Sequence, residues 1–214
     1  MLSLSLVPKT NLQQQQIITI ESNLDLITDL FKSYKEHNEK LIPEIMDLYL
    51  AVKPDINEKM VEKALSFTLE KHLGDYRDSE NPYAEHPVQV SSILALWDMP
   101  DDDIIAGLCH DLVEEHPDDE LNLRNIIYKN FGVKVFEIVS ALTPPVNHPE
   151  TKNVELYEKI EVYKEWFNLD SIKYIKASDG LVNLYTKKYM KGKDGLSAEE
   201  RQTRYENKIS TLLI

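Results

Sequence analysis

His110 and Asp111 are adjacent, and Glu114 and Glu115 follow each of them at a distance of four residues. On one helix such i, i+4 pairs stack a turn apart, so an imidazole and three carboxylates would share a side. The other side is apolar, with Ile105, Leu108, Cys109 and Leu112. Placing so many ionisable groups beside a core costs stability unless a cation or hydrogen bonds compensate. These residue types ligate divalent ions and carry protons, which points to metal-assisted or acid–base chemistry. A solvated helix end explains Glu115 equally well, but not a His-Asp pair placed directly after Ala106-Gly-Leu-Cys109.

Two other segments offer donors. His86 precedes Pro87 at an expected helix start, where the chain is stiff; a histidine there is more often a cap than a ligand. Asp179 and Asn183 occupy i and i+4 of the otherwise apolar segment from Ile172 to Leu184 and so face one way, although such a pair is usually solvent-facing.

The elements that must position these residues read as helices. Ile17-Ile-Thr-Ile20 is a lone β-like run, and Gln13 to Gln16 before it reads as a loose arm. Helical spacing follows in Leu24, Ile27, Leu30, Phe31 and Tyr34 behind a Ser22/Asn23 cap, in Leu41 to Val52, and in Ile56 to His72 with Asn57 near its start. Gly74 to Glu85 reads as a loop. The next helix carries Val90, Ile93, Leu94 and Trp97 and stops before Pro100; another starts at the acidic Asp101 to Asp103, suited to a helix N-terminus. Helices are expected over Leu121–Asn130, Val133–Leu142, Val154–Phe167 and Ser171–Tyr189, with a loop at Thr143 to Lys152 and a turn at Lys191 to Gly195. Ser197 and Glu200 form a capping-box pattern before a last helix bearing Tyr205, Ile209 and Leu212. The fold class is all-α, with an N-terminal arm and helical extension over residues 1–55 and one helical domain over 56–214.

The chain has 214 residues and a formal net charge of −13, which makes nucleic acid and anionic lipid surfaces poor partners. No apolar run approaches the ~20 residues of a membrane span. The first residues lack the cationic start of a secretory signal. Cys109 is the only cysteine, so neither an internal disulfide nor a cysteine-rich zinc site can form. A cytoplasmic protein without nucleic-acid or membrane partners is expected. An anionic small substrate would need a bound cation or well-placed Arg and Lys.

Four blocks, in order and in register over about residues 58–190, resemble the hydrolase domain of the RelA/SpoT family. Residues 72–87, His-Leu-Gly-Asp-Tyr-Arg-Asp-Ser-Glu-Asn-Pro-Tyr-Ala-Glu-His-Pro, resemble its H-x-G-Q-x-R-K-x-G-x-P-Y-x-x-H-P. Leu108 to Glu115 is similar to L-L-H-D-V-V-E-D, and Phe131-Gly132 with Ile138-Val139 and Thr143 to F-G, I-V and V-T. Ile175 to Thr186 is similar to I-K-x-A-D-R-L-H-N-M-R-T. The resemblance implies an HD-superfamily helical bundle of the stand-alone small alarmone hydrolase type. It implies that His86, His110, Asp111 and Asp179 hold one divalent metal, usually manganese, with iron, cobalt or zinc also suited to the donor set. It further implies water activation by Glu114 with Glu115 beside it, substrate contacts from Arg77 and Asn183, a structural His72, and hydrolysis of the 3′-diphosphate of (p)ppGpp to GDP or GTP and pyrophosphate.

The sequence departs from that pattern around the expected entrance. Asp75, Asp78 and Glu80 stand for glutamine, lysine and glycine, and Gly180, Val182 and Tyr185 for arginine, histidine and arginine. Positive charge is lost while every expected metal ligand is kept. The alternatives are a phosphohydrolase of the same fold acting on NADPH or a nucleoside phosphate, and a non-catalytic helical binding module. The first 55 residues could serve as a packing extension, a homo-oligomer contact or a partner site.

Overall fold

The structure, a computed structural model, describes residues 11–34, 38–77, 81–144, 152–167 and 171–186, with isolated positions at 197, 199, 200 and 203. Among the described residues it has nine α-helices and no strand. They are α1 (Asn11–Tyr34), α2 (Asn38–Val52), α3 (Glu58–Lys71), α4 (Glu85–Leu96), α5 (Asp101–Cys109), α6 (Leu112–Glu115), α7 (Glu120–Leu142), α8 (Lys152–Phe167) and α9 (Ser171–Thr186), with a 3₁₀ turn at Pro117–Asp119 before α7. Helix α4 is the axis of the bundle. Every residue from Glu85 to Ala95 is buried, because α5, α9, α1 and α2 all pack around it. A helix enclosed on all sides has no polar face, which is why its sequence is apolar or small nearly throughout.

Local chemistry sets several boundaries as expected. Asn57 caps α3, its side-chain oxygen accepting the Met60 N–H at 3.3 Å. Pro100 and the acidic triplet after it open α5. The capping box is present: the Ser197 N–H donates to Glu200 at 2.7 Å and the Glu200 N–H to Ser197 Oγ at 3.1 Å. Gly132 has φ 89° and ψ 175°, a conformation nearly exclusive to glycine, and it kinks α7 where two helices were expected.

Three expectations are corrected. Gln13 to Gln16 and Ile17 to Ile20 are neither arm nor strand but lie within α1. Ile20, Leu24 and Ile27 continue one helical stripe into the core, and this packing overrides the β-branched run. For the same reason Ser22 and Asn23 sit in mid-helix rather than at a cap. The helix expected to run through His110-Asp111 instead ends at Cys109 and resumes at Leu112, so these two residues occupy a break. Side chains of Tyr34, Asp78 and Glu80, the segments 145–151 and 191–196, and Tyr205, Ile209 and Leu212 lie outside the described residues.

The N-terminal helices share one core with the rest of the bundle, from Leu24 and Tyr49 to Ile93 and Tyr185. Polar contacts join them to α4 as well. Thr28 Oγ1 donates to the buried Glu85 carboxylate at 2.6 Å, and Tyr49 Oη donates to the Val88 carbonyl at 3.3 Å. Tyr185, in the place of an arginine of the resembling pattern, donates to Asp25 of α1. No described helix is long and apolar enough to cross a membrane.

Candidate metal centre

Gly107 lets α5 approach α4. A Cβ at that position would stand 2.6 Å from Leu94 Cδ1 and 3.4 Å from Ser91 Cα. The close crossing brings His110, just past the end of α5, against His86 in the first turn of α4, with ring centroids 5.4 Å apart. Asp111 faces both rings. Its Oδ1 lies 3.0 Å from His110 Nε2, and its Oδ2 lies 3.4 Å from His86 Nε2. One donor atom from each of His86, His110 and Asp111 falls within 4.8 Å of the other two. Helix α9 adds Asp179, whose Oδ1 is 3.4 Å from His86 Nε2. Three separate stretches of chain thus meet at one point.

His110 Nδ1–H donates to the Gly107 carbonyl at 2.8 Å, which orients the ring with Nε2 toward the Asp111 carboxylate. That Nε2 is buried and has no hydrogen-bond partner. A bare imidazole nitrogen facing a carboxylate, its ring oriented through the opposite nitrogen, is the arrangement of a metal-ligating histidine. Burial, and then the nearby Arg77 cation, pull the His86 imidazolium down to about 4, so this ring is neutral at pH 7. Burial works against the Asp111 carboxylate, but the Lys176 ammonium and, at the acid pH where such a carboxyl takes up its proton, the cationic forms of His110 and His86 outweigh it and hold Asp111 below the usual carboxylate range. Two imidazoles and two carboxylates fit a divalent transition ion, and nothing in the donor set opposes one.

The surrounding groups are cationic or oriented by hydrogen bonds. Asp179 is held through both oxygens, by Asn183 Nδ2 at 2.6 Å and by Lys176 Nζ at 2.7 Å. Burial lowers the Lys176 ammonium, but the carboxylates of Asp179, Asp111 and Glu114 reverse this and leave it above its ordinary value. Arg77 Nη2 donates to Asn183 Oδ1 at 3.0 Å, while its buried Nη1 has no partner. Tyr83 Oη donates to Asp111 Oδ2 at 3.0 Å. Glu115 also interacts with Tyr83; desolvation and the charge of Asp111 raise its carboxyl. Asp179, Arg77, Asn183 and Glu115 therefore stand around the cluster of His86, His110 and Asp111, and the charge of Glu114 reaches Lys176. The sequence reading missed Tyr83 and Lys176. Lys176 had a signal, since it is a lysine three residues before Asp179 in a segment too apolar to be a surface face.

Residues 64–165 match the family described as HD domain. This stretch is similar to an HD domain. Over 122 residues it is 30% identical to the GTP pyrophosphokinase rsh of Brucella melitensis biotype 1, covering 57% of this chain and 15% of that protein. Two proteins named guanosine-3′,5′-bis(diphosphate) 3′-pyrophosphohydrolase also match. That of Spiroplasma citri is 31% identical over 99 residues (46% of this chain, 13% of that protein), and that of Borreliella burgdorferi 30% over 135 residues (62% and 20%). The HD domain is thus homologous to part of RelA/SpoT-type proteins, and the chain spans 13% to 20% of the length of these relatives. A solved structure, described as a metazoan ortholog of SpoT that hydrolyzes ppGpp and plays a role in starvation responses, superposes with a TM-score of 0.55 at 23% identity, covering 72% of this chain and 85% of that one. The HD fold is all-α, as the described residues are.

Proposed function

We propose that this HD domain is a metal-dependent phosphohydrolase that removes the 3′-diphosphate of (p)ppGpp-like guanosine nucleotides, giving GDP or GTP and pyrophosphate. The observation that carries the reading is the convergence of His86, His110 and Asp111 within 4.8 Å with a bare His110 Nε2 among them. His86, His110, Asp111 and Asp179 would hold the divalent ion, with manganese the expected metal. Once bound, such an ion acidifies water and neutralises phosphoryl oxygens.

The chain's own residues supply the rest. Arg77, with Nη1 unpaired, offers a planar fork to phosphate oxygens, and Asn183 fixes it through the 3.0 Å hydrogen bond. Glu114 takes one proton from the attacking water, whose oxygen bonds to the phosphorus nearest the ribose. The bond from that phosphorus to the 3′-oxygen breaks, and the oxygen leaves as a hydroxyl after gaining a proton. Glu115, whose carboxyl is raised, is suited to return it. Lys176 keeps the carboxylate-lined cavity from repelling a polyphosphate.

The test is incubation of the purified protein with ppGpp and manganese. Pyrophosphate release absent from a His110→Ala control supports the reading, and no release above that control overturns it. A second reading, hydrolysis of another nucleotide such as NADPH or a nucleoside phosphate, is favoured by one observation: Tyr185, in an arginine's place, donates to Asp25 of α1 and brings no positive charge. A nucleotide panel in which ppGpp turnover far exceeds all others would remove it.

A further inference from the structure

A second set of donor side chains converges outside that centre. His72 terminates α3, Gly74 turns the chain at φ +87°, and the Asp75 N–H returns to the His72 carbonyl at 3.0 Å. The Asp75 carbonyl in turn accepts the Tyr83 N–H at 2.8 Å. His116 terminates α6, its N–H donating to the Leu112 carbonyl at 3.2 Å and its carbonyl accepting the Asp119 N–H at 3.0 Å. Each of the three side chains therefore leaves a backbone pinned by hydrogen bonds. His72 Nδ1 lies 3.2 Å from Asp75 Oδ2, and His116 Nε2 lies 3.4 Å from the same oxygen. One donor atom from each of His72, Asp75 and His116 falls within 4.8 Å of the other two.

These separations are those of ligands around one ion. Two bonds of ~2.05 Å at a tetrahedral angle leave their donor atoms ~3.3 Å apart. His116 Nε2 is buried and has no hydrogen-bond partner, although the Asp75 oxygen is in reach. The His72 side chain is completely buried, its ring stacked on Tyr83 at 4.7 Å, so its orientation is fixed by packing. The Asp75 and His116 side chains are 39% and 25% exposed, which leaves the remaining coordination positions accessible to water.

The geometry points to a second metal site at His72, Asp75 and His116, taking a divalent first-row transition ion such as Zn²⁺ or Co²⁺. Two imidazoles and one carboxylate with an open position is an established zinc donor set. Tyr83 separates the two centres, stacking on His72 and donating through its hydroxyl to Asp111. The site reverses the meaning of Asp75. Alone it adds a negative charge to a phosphate-facing edge; as a ligand to a divalent ion it becomes part of a net positive patch. The site does not depend on which nucleotide the first centre hydrolyses.

Metal stoichiometry of the full chain tests it. Protein stripped by chelator is titrated with Co²⁺ and, separately, Zn²⁺, by calorimetry and native mass spectrometry, with far-UV circular dichroism as the check on folding. The variants are His116→Ala and Asp75→Asn, both at partly exposed positions, and His110→Ala for the first centre. The expected result is two equivalents for the unmodified chain, one for His116→Ala and for Asp75→Asn, and one for His110→Ala. A single ion lost in His116→Ala but kept in His110→Ala also supports the second site, while contradicting the first. A single ion kept in both His116→Ala and Asp75→Asn overturns the second site alone. Two ions persisting in both variants overturn it as well.

Discussion

Replacing Tyr83 by Phe removes one oxygen and keeps the ring stacked on His72. The lost hydroxyl donates to Asp111 Oδ2 at 3.0 Å. A hydrogen bond to a charged partner contributes about 1.5–3 kcal/mol, and loss of a group that orients a metal ligand costs about 10–100-fold in affinity. The two scales agree, since tenfold corresponds to about 1.4 kcal/mol. The hydroxyl also favours the charged form of Asp111, which is held below the usual carboxylate range. Its removal raises that group, so protons compete with metal at higher pH than before. Manganese titration by calorimetry from pH 5 to 8 should show Tyr83→Phe binding more weakly by about 10–100-fold at neutrality, with the deficit widening as pH falls. Equal affinity for both proteins across that range would refute the idea that Tyr83 positions Asp111.

Four further expectations follow from the same contacts. Arg77→Lys replaces the planar fork by a point charge and should lower kcat/KM at least tenfold, at unchanged metal stoichiometry. Gly132→Ala meets no atom within 4 Å, so its cost is backbone strain alone, about 1–3 kcal/mol in urea unfolding, with metal binding intact. Thr28→Val strips a 2.6 Å hydrogen bond from buried Glu85 and should destabilise the chain by about 1–3 kcal/mol, which ties α1 to the base of the metal centre. His86 has its folded-state value depressed to about 4 against an unfolded value of 6.5, so the unfolded chain binds the extra proton between them. Stability of the metal-free protein is therefore complete above pH 6.5 and falls as pH drops through 4, by about 3 kcal/mol on the usual scale. Urea midpoints that stay as steep in His86→Gln as in the unmodified chain would contradict that assignment.

Much of the architecture was legible because burial leaves a periodic trace. The stripes of α3, α5 and α9, the Asn57 cap and the Gly132 kink each depend on residues within one turn of each other. The meeting of His86, His110 and Asp111 was expected for a different reason: His110-Asp111 stands in a segment too apolar to be surface, and the family resemblance joined it to His86 and Asp179. What stayed hidden depends on distant packing. Ile17 to Ile20 look like a strand until Ile20 is seen to share a core-facing stripe with Leu24 and Ile27. The helix break at His110-Asp111 has no proline or glycine within it to mark it. Asp75 and His116 are 41 residues apart in number, and no sequence pattern joins them; only the turn at Gly74 and the end of α6 bring them to one oxygen-to-nitrogen distance of 3.4 Å. Lys176 was visible as a charge in an apolar helix, but its partner Asp179 had already been claimed as a ligand.

Anomalous diffraction from crystals grown with manganese tests the central claim most directly. The account predicts a manganese peak bonded to His86 Nε2, His110 Nε2, Asp111 and Asp179 at about 2.0–2.2 Å, with Asp179 drawn from Lys176 toward the ion. Strong manganese density away from these four side chains, or none at all with Asp179 still paired to Lys176, would contradict it.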